Sequence, residues 1–186
     1  MSLVELIAQA DERGLAASGL ACLDRCVPLL GGDDEILRPL WASLADGGGD
    51  WGELLAQARG KLDGAGPEGA GPDEATLLAG RMLAAAPADR SAAEIRLWAD
   101  ACSVAALQIH RMLDPIARGA SSVDAPREGR TEGMSPLVAA ELRRQITVLE
   151  LLAGHGAGGL RRALEVSTEG RRVLRAVVSR RTRQRR

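Results

Sequence analysis

The chain has 186 residues, with Leu, Ile and Val at 27, 6 and 10 of them, enough apolar volume to exclude a purely disordered polar segment. Ala fills 32 positions while Phe and Tyr fill none, so side chains that lose little entropy in a helix outweigh those that favour strands. The formal net charge of −1 excludes an overall basic or acidic bias, but it is the sum of two opposed parts.

The capping-box pair Ser2 and Glu5 predicts a short first helix to about Asp11. Leu15, Leu20, Leu23, Val27 and Leu30 then recur at helical spacing until Pro28 and Gly31-Gly32 stop the run. Asp33-Asp34 are expected to start a helix carrying Ile36, Leu37, Leu40, Trp41 and Leu44, bent or delayed by Pro39. Gly47 to Gly49 close it, and Asp50 with Glu53 opens another through Leu54, Leu55, Ala58 and Leu62. Residues 63–72 read as a Gly/Pro linker, after which Pro72 fits the first turn of a helix that Pro87 ends.

Ser91 and Glu94 cap the longest predicted helix, to about Arg118. Ile95, Trp98, Cys102, Ala105, Ala106, Ile109, Met112, Leu113 and Ile116 share one face, which Leu97, Ala101 and Val104 widen. A helix so broadly apolar is expected at the centre of a bundle. Its narrow polar strip of Arg96, Asp100, Ser103, His110, Arg111 and Asp114 is expected in solvent, so a His110–Asp114 acid–base role ranks below a surface pair. A polar loop follows at 119–134, and Ser135-Pro136 starts a helix with Glu141 and Gln145 half-buried beside its apolar face. Gly154 to Gly159 turn the chain into a last helix from Leu160.

The first five residues lack a basic signal-peptide region, and no run approaches the roughly 18 apolar residues that cross a bilayer. Three cysteines, an odd count in a Leu-rich chain, suggest reduced thiols and a cytoplasmic location. Cys22 and Cys26 lie four apart on one helix without a companion His or Cys pair, so they read as core.

From Leu160 to Arg186 the chain carries ten Arg and two Glu, a net +8, against a net −9 in the preceding 159 residues. Leu160, Ala163, Leu164, Val166, Leu174, Val177 and Val178 form an apolar face that should dock on the bundle. Arg161, Arg172 and Arg175 align elsewhere, and Arg180, Arg181, Arg183, Arg185 and Arg186 continue beyond. Three uses compete: binding a polyanion with release of counterions, favouring a helix C-terminus and solubility, or pairing with acidic surface on this body or a partner. Gly156, Gly158 and Gly159, just before Arg161 and Arg162, could offer N–H groups to an anion. A glycine C-cap explains them as well, since no strand precedes the turn.

The expected fold is all-α, a single bundle of about six to eight helices: residues 1–159 an acidic body, 160–180 a basic amphipathic helix packed on it, 181–186 a disordered arginine-rich tail. The expected role is a non-enzymatic interaction or regulatory module. Its anion-binding residues would be Arg161, Arg162, Arg171, Arg172, Arg175, Arg180, Arg181 and Arg183 with the three glycines, facing nucleic acid or an acidic protein surface. The alternative is a bundle binding a small molecule, with or without catalysis, in an apolar pocket between helices. No catalytic residue, metal, cofactor or membrane contact is expected, and homo-oligomerisation is left open.

Overall fold

Capping residues and apolar spacing place the helices almost where the sequence predicts them. The computed structural model describes residues 1–63, 71–116 and 122–184. Along the chain run α1 (Leu3–Gln9), α2 (Glu12–Cys26), α3 (Arg38–Asp46), α4 (Trp51–Leu62), α5 (Glu74–Ala84), α6 (Ala92–Leu113), α7 (Asp124–Arg127), α8 (Pro136–His155) and α9 (Leu160–Gln184). Short 3-10 turns, Val27–Leu29 and Gly156–Gly159, follow α2 and α8. The described residues contain no strand, and the fold is an all-α bundle. No helix among them is long and apolar enough to cross a membrane. Most of the linker expected at 63–72 lies outside the described residues, as do Arg118, the start of the loop expected at 119–134, and Arg185 and Arg186.

The Ser2–Glu5 capping box forms, and Asp11, Asp50 and Ser91 each accept the backbone N–H three residues on. Two helix starts differ from expectation, and α6 ends at Leu113 rather than near Arg118, while α8 starts at Pro136 as expected. The helix expected at Asp33 begins at Arg38, because Pro39 belongs to a first turn and the residues before it form turns instead. The helix after the linker is capped by Asp73, so Pro72 precedes it. At the start of α8 the Ser135 side chain makes no capping bond; Asp114 Oδ2, from the end of α6, accepts the Leu137 N–H at 2.9 Å.

The centre of the bundle is α2 rather than α6. Every residue from Gly14 to Cys26 is buried, charged Asp24 and Arg25 included, and the helix packs against α6, α8 and α9. The long helix α6 is its main partner, yet Leu97 and Ile116, expected on its buried face, are 74% and 68% exposed. The two helices cross closely at Gly19, where a Cβ would stand 2.6 Å from the Trp98 ring. Trp98 itself is buried, donates from Nε1 to the Met82 carbonyl at 2.9 Å, and meets Trp51 edge-on at 6.2 Å.

Two body arginines close helix ends. Arg59 donates to the Leu83, Ala84 and Ala86 carbonyls at the C-terminal end of α5, and Arg96 to those of Ile7, Ala8 and Ala10 at the C-terminal end of α1. Carbonyls left open at a helix C-terminus are thereby paired with positive charge.

Candidate functional site

Two charge systems stand out, one inside the bundle and one on the outside of α9. The inner one begins at Arg25 on α2, which has no exposed side-chain surface. Its Nε and Nη2 donate to the two oxygens of Glu141 on α8 at 2.8 and 2.6 Å, a bidentate pair. Nη1 reaches Ser167 Oγ on α9 at 3.4 Å. Glu141 also accepts from Gln145 Nε2 at 2.9 Å, and Gln145 Oε1 accepts from Ser103 Oγ on α6 at 2.7 Å. Arg127, from the short α7, donates to that same Ser103 oxygen at 3.2 Å and pairs with Asp100.

His110 completes the network. Its Nδ1 lies 2.7 Å from the Ala106 carbonyl, which can only accept, so that nitrogen carries the proton. The other nitrogen, Nε2, faces Glu141 Oε2 at 3.5 Å. Burial holds the imidazole below its ordinary range, against the pull of Glu141. Burial alone would push Glu141 up, but the Arg25 guanidinium, His110 and the hydrogen bonds bring it below the usual carboxylate range. Half of the polar strip of α6, expected in solvent, therefore faces inward: Ser103, His110 and Asp114 are buried, while Arg96, Asp100 and Arg111 are partly exposed. The reason is that α8 brings a matching set of polar groups against it.

The network is buried except at its Asp100 end, where the carboxylate side chain is 50% exposed. Three surface clefts among the described residues are lined by none of its members. The most apolar, about 390 Å³ between α1 and the end of α8, has Leu6, Leu149 and Leu152 in its wall. Its acidic group, Asp11, already caps α2. Cys22, Cys26 and Cys102 are buried, and burial pushes the Cys22 thiol up to about 12, so it is not a nucleophile at neutral pH. Among the described residues no His, Cys, Asp and Glu cluster is arranged to hold a metal ion.

The outer system divides the arginines of α9. Arg171 is buried, paired with Asp24 on α2 and 3.2 Å from Asp34 Oδ1. It is thus used by the fold rather than offered to solvent. Arg175, 47% exposed, pairs with Asp34 as well, and Arg181 is half-buried. Arg161, Arg162, Arg172, Arg180 and Arg183 are exposed. At about 100° per residue they fall on one arc roughly 100° wide. Arg161, Arg172 and Arg183 recur every eleven residues along α9, a row with steps of about 16.5 Å. Glu165 and Glu169 lie on the same arc, with Glu165 3.5 Å from Arg161, but no acidic residue follows between Gly170 and Gln184. The helix continues through 181–184, which were expected in a frayed tail.

The glycine turn joins α8 to α9. Gly156, at φ +52°, donates its N–H to the Leu152 carbonyl, and a Cβ on Gly159 would stand 2.4 Å from the Leu151 carbonyl oxygen. Gly158 is exposed. The first and last of these glycines thus serve the cap and the close return of the chain.

Sequence reading flagged Glu141 and Gln145 but missed Arg25 as the partner of Glu141, Ser167 and Arg127 elsewhere in the network, and the Asp24–Arg171 pair. One signal was present: Asp24-Arg25 interrupts a helix that is small or apolar all round, where a charge must be buried and therefore matched. No family model matches this chain, and no curated protein or solved structure does.

Proposed function

We propose that the outer face of α9 binds the phosphate backbone of a nucleic acid, in a module that acts by interaction rather than catalysis. The supporting observation is the arc of five exposed arginines on a helix whose opposite side, Ala163, Ser167, Gly170 and Leu174, is buried against the bundle. A guanidinium meets a phosphate through parallel N–H donors, and each phosphate neutralised releases condensed counterions. The face has no aromatic side chain on which bases could stack, which favours backbone contact with a duplex over reading of single strands.

Fluorescence anisotropy with a labelled DNA duplex across a salt series tests the reading. Affinity should fall linearly on a log–log plot, with about 0.9 of slope per phosphate neutralised. Replacing Arg172, Arg180 and Arg183 by Gln should flatten that slope by roughly 2–3 while leaving the helical spectrum unchanged. Absence of binding, or an unchanged slope in the variant, overturns the proposal. Loss of binding to an acidic polypeptide but not to DNA would reassign the face to a protein partner.

A further inference from the structure

Asp34 belongs to a run of three acidic residues, Asp33, Asp34 and Glu35, in the turn leading to α3. Its Oδ1 accepts from Arg175 Nη2 at 2.5 Å and lies 3.2 Å from Arg171 Nε. Arg171 has a second counter-ion, Asp24, on its buried side. For Arg175 the paired carboxylate among the described residues is Asp34. Arg175 stands one turn beyond exposed Arg172, at the border of the arginine arc.

We infer that Asp34 is an intramolecular competitor for the polyanion face, holding Arg175 in the place a phosphate would take. The inference rests on the reading of α9 given above. A carboxylate and a phosphate present similar acceptor oxygens to a guanidinium. The pair is close to half exposed on both sides, at 47% and 44%, so Arg175 lies within reach of a bound phosphate while the local carboxylate keeps it occupied. While the contact holds, Arg175 adds nothing to binding. Once it opens, the face gains one more phosphate contact.

The test compares Asp34→Asn with Asp33→Asn by anisotropy on duplex DNA over a salt series. Both substitutions remove one negative charge from the same turn, but Asp33 bonds the Glu35 N–H rather than an arginine. Asp34→Asn should bind several-fold more tightly at low salt, with a slope steeper by about 0.9. Asp33→Asn should keep the slope of the parent chain. Arg175→Gln alone should leave the slope unchanged, and should cancel the gain when added to Asp34→Asn. Equal slopes for the two Asp variants overturn the role of Asp34 while leaving the arginine face intact. If the parent chain and every variant fail to bind the duplex, the face itself is wrong and this inference falls with it.

Discussion

A guanidinium inside this bundle and one on the outer face of α9 meet opposite conditions. Arg25 has no exposed surface, and Glu141 meets it with both oxygens. Arg172 is exposed and makes no ion pair among the described residues. Removing a charge from water costs several kcal/mol even after relaxation, so the interior admits an arginine only with a carboxylate in matching geometry. On the surface, water and salt screen the charge and no match is required. Net charge is therefore a poor guide to which arginines are available. Arg25 and Arg127 are matched by acids of their own body, Arg171 of α9 draws Asp24 from the acidic excess of that body, and the unpaired remainder on α9 is what a partner would meet.

The largest expected effect lies at the inner pair. Glu141→Gln keeps the shape but leaves Arg25 buried without a counter-charge, and should cost about 3–5 kcal/mol in denaturant unfolding. Arg172→Gln, as the outer control, should stay within about 0.5 kcal/mol. Similar costs at the two sites would erase the contrast between them.

A smaller effect, with a more telling sign, is expected at Gly170. A glycine inside a helix normally gains about 0.5–1 kcal/mol when changed to Ala. Here the new Cβ would stand 2.4 Å from Arg25 Cδ and 2.9 Å from Arg144 Cδ. The Arg25 stem cannot swing away, because its guanidinium is pinned by Glu141. Overpacking of this kind costs about 1–3 kcal/mol, so the net change should be destabilising. A stabilised Gly170→Ala would show that the pinned pair yields, and that the interior is softer than its hydrogen bonds imply.

What the sequence revealed follows the same division. Helices were legible because caps and spacing are local: Ser2, Asp50 and Ser91 each act within three residues. The outer arginines were legible only in part. Arg161 and Arg172 were aligned on one face, but with Arg175, which pairs with Asp34. Arg183 was expected in a disordered tail rather than on the helix. The inner network was not legible, because Arg25 and Glu141 are 116 positions apart and only packing brings them together. The wheel of α6 misled for a related reason. It ranked His110 as solvent-facing by its own helix alone, although the covering surface comes from α8. Leu97 shows the converse, an apolar residue that no neighbouring helix covers.

The smallest expected effect is on pH dependence, and it separates the two regions without removing a pair. No arginine titrates near neutrality, so the outer face keeps its charge throughout. His110 does titrate, and burial holds it below its ordinary value of 6.5, with Arg25 and Arg144 also opposing the imidazolium and Glu141 favouring it. The unfolded chain therefore takes up its proton first as pH falls. Stability should decline from about pH 6.5 down through the folded value of His110 and then level off, because proton uptake by the unfolded state draws the equilibrium towards unfolding. Glu141 works in the same direction at lower pH: its depressed value gives stability above about 4.5 that is lost as the folded carboxylate takes a proton. Denaturant midpoints near pH 7.5 and 5.5 isolate the histidine from the carboxylates. The parent chain should be weaker at the lower pH, and His110→Asn should lose most of that difference. If the parent chain is instead stronger at pH 5.5, Nε2 carries a proton towards Glu141 and the interior holds an imidazolium–carboxylate pair. The inner network would then have one positive charge more than its arginines supply, which the outer face cannot mimic at any pH.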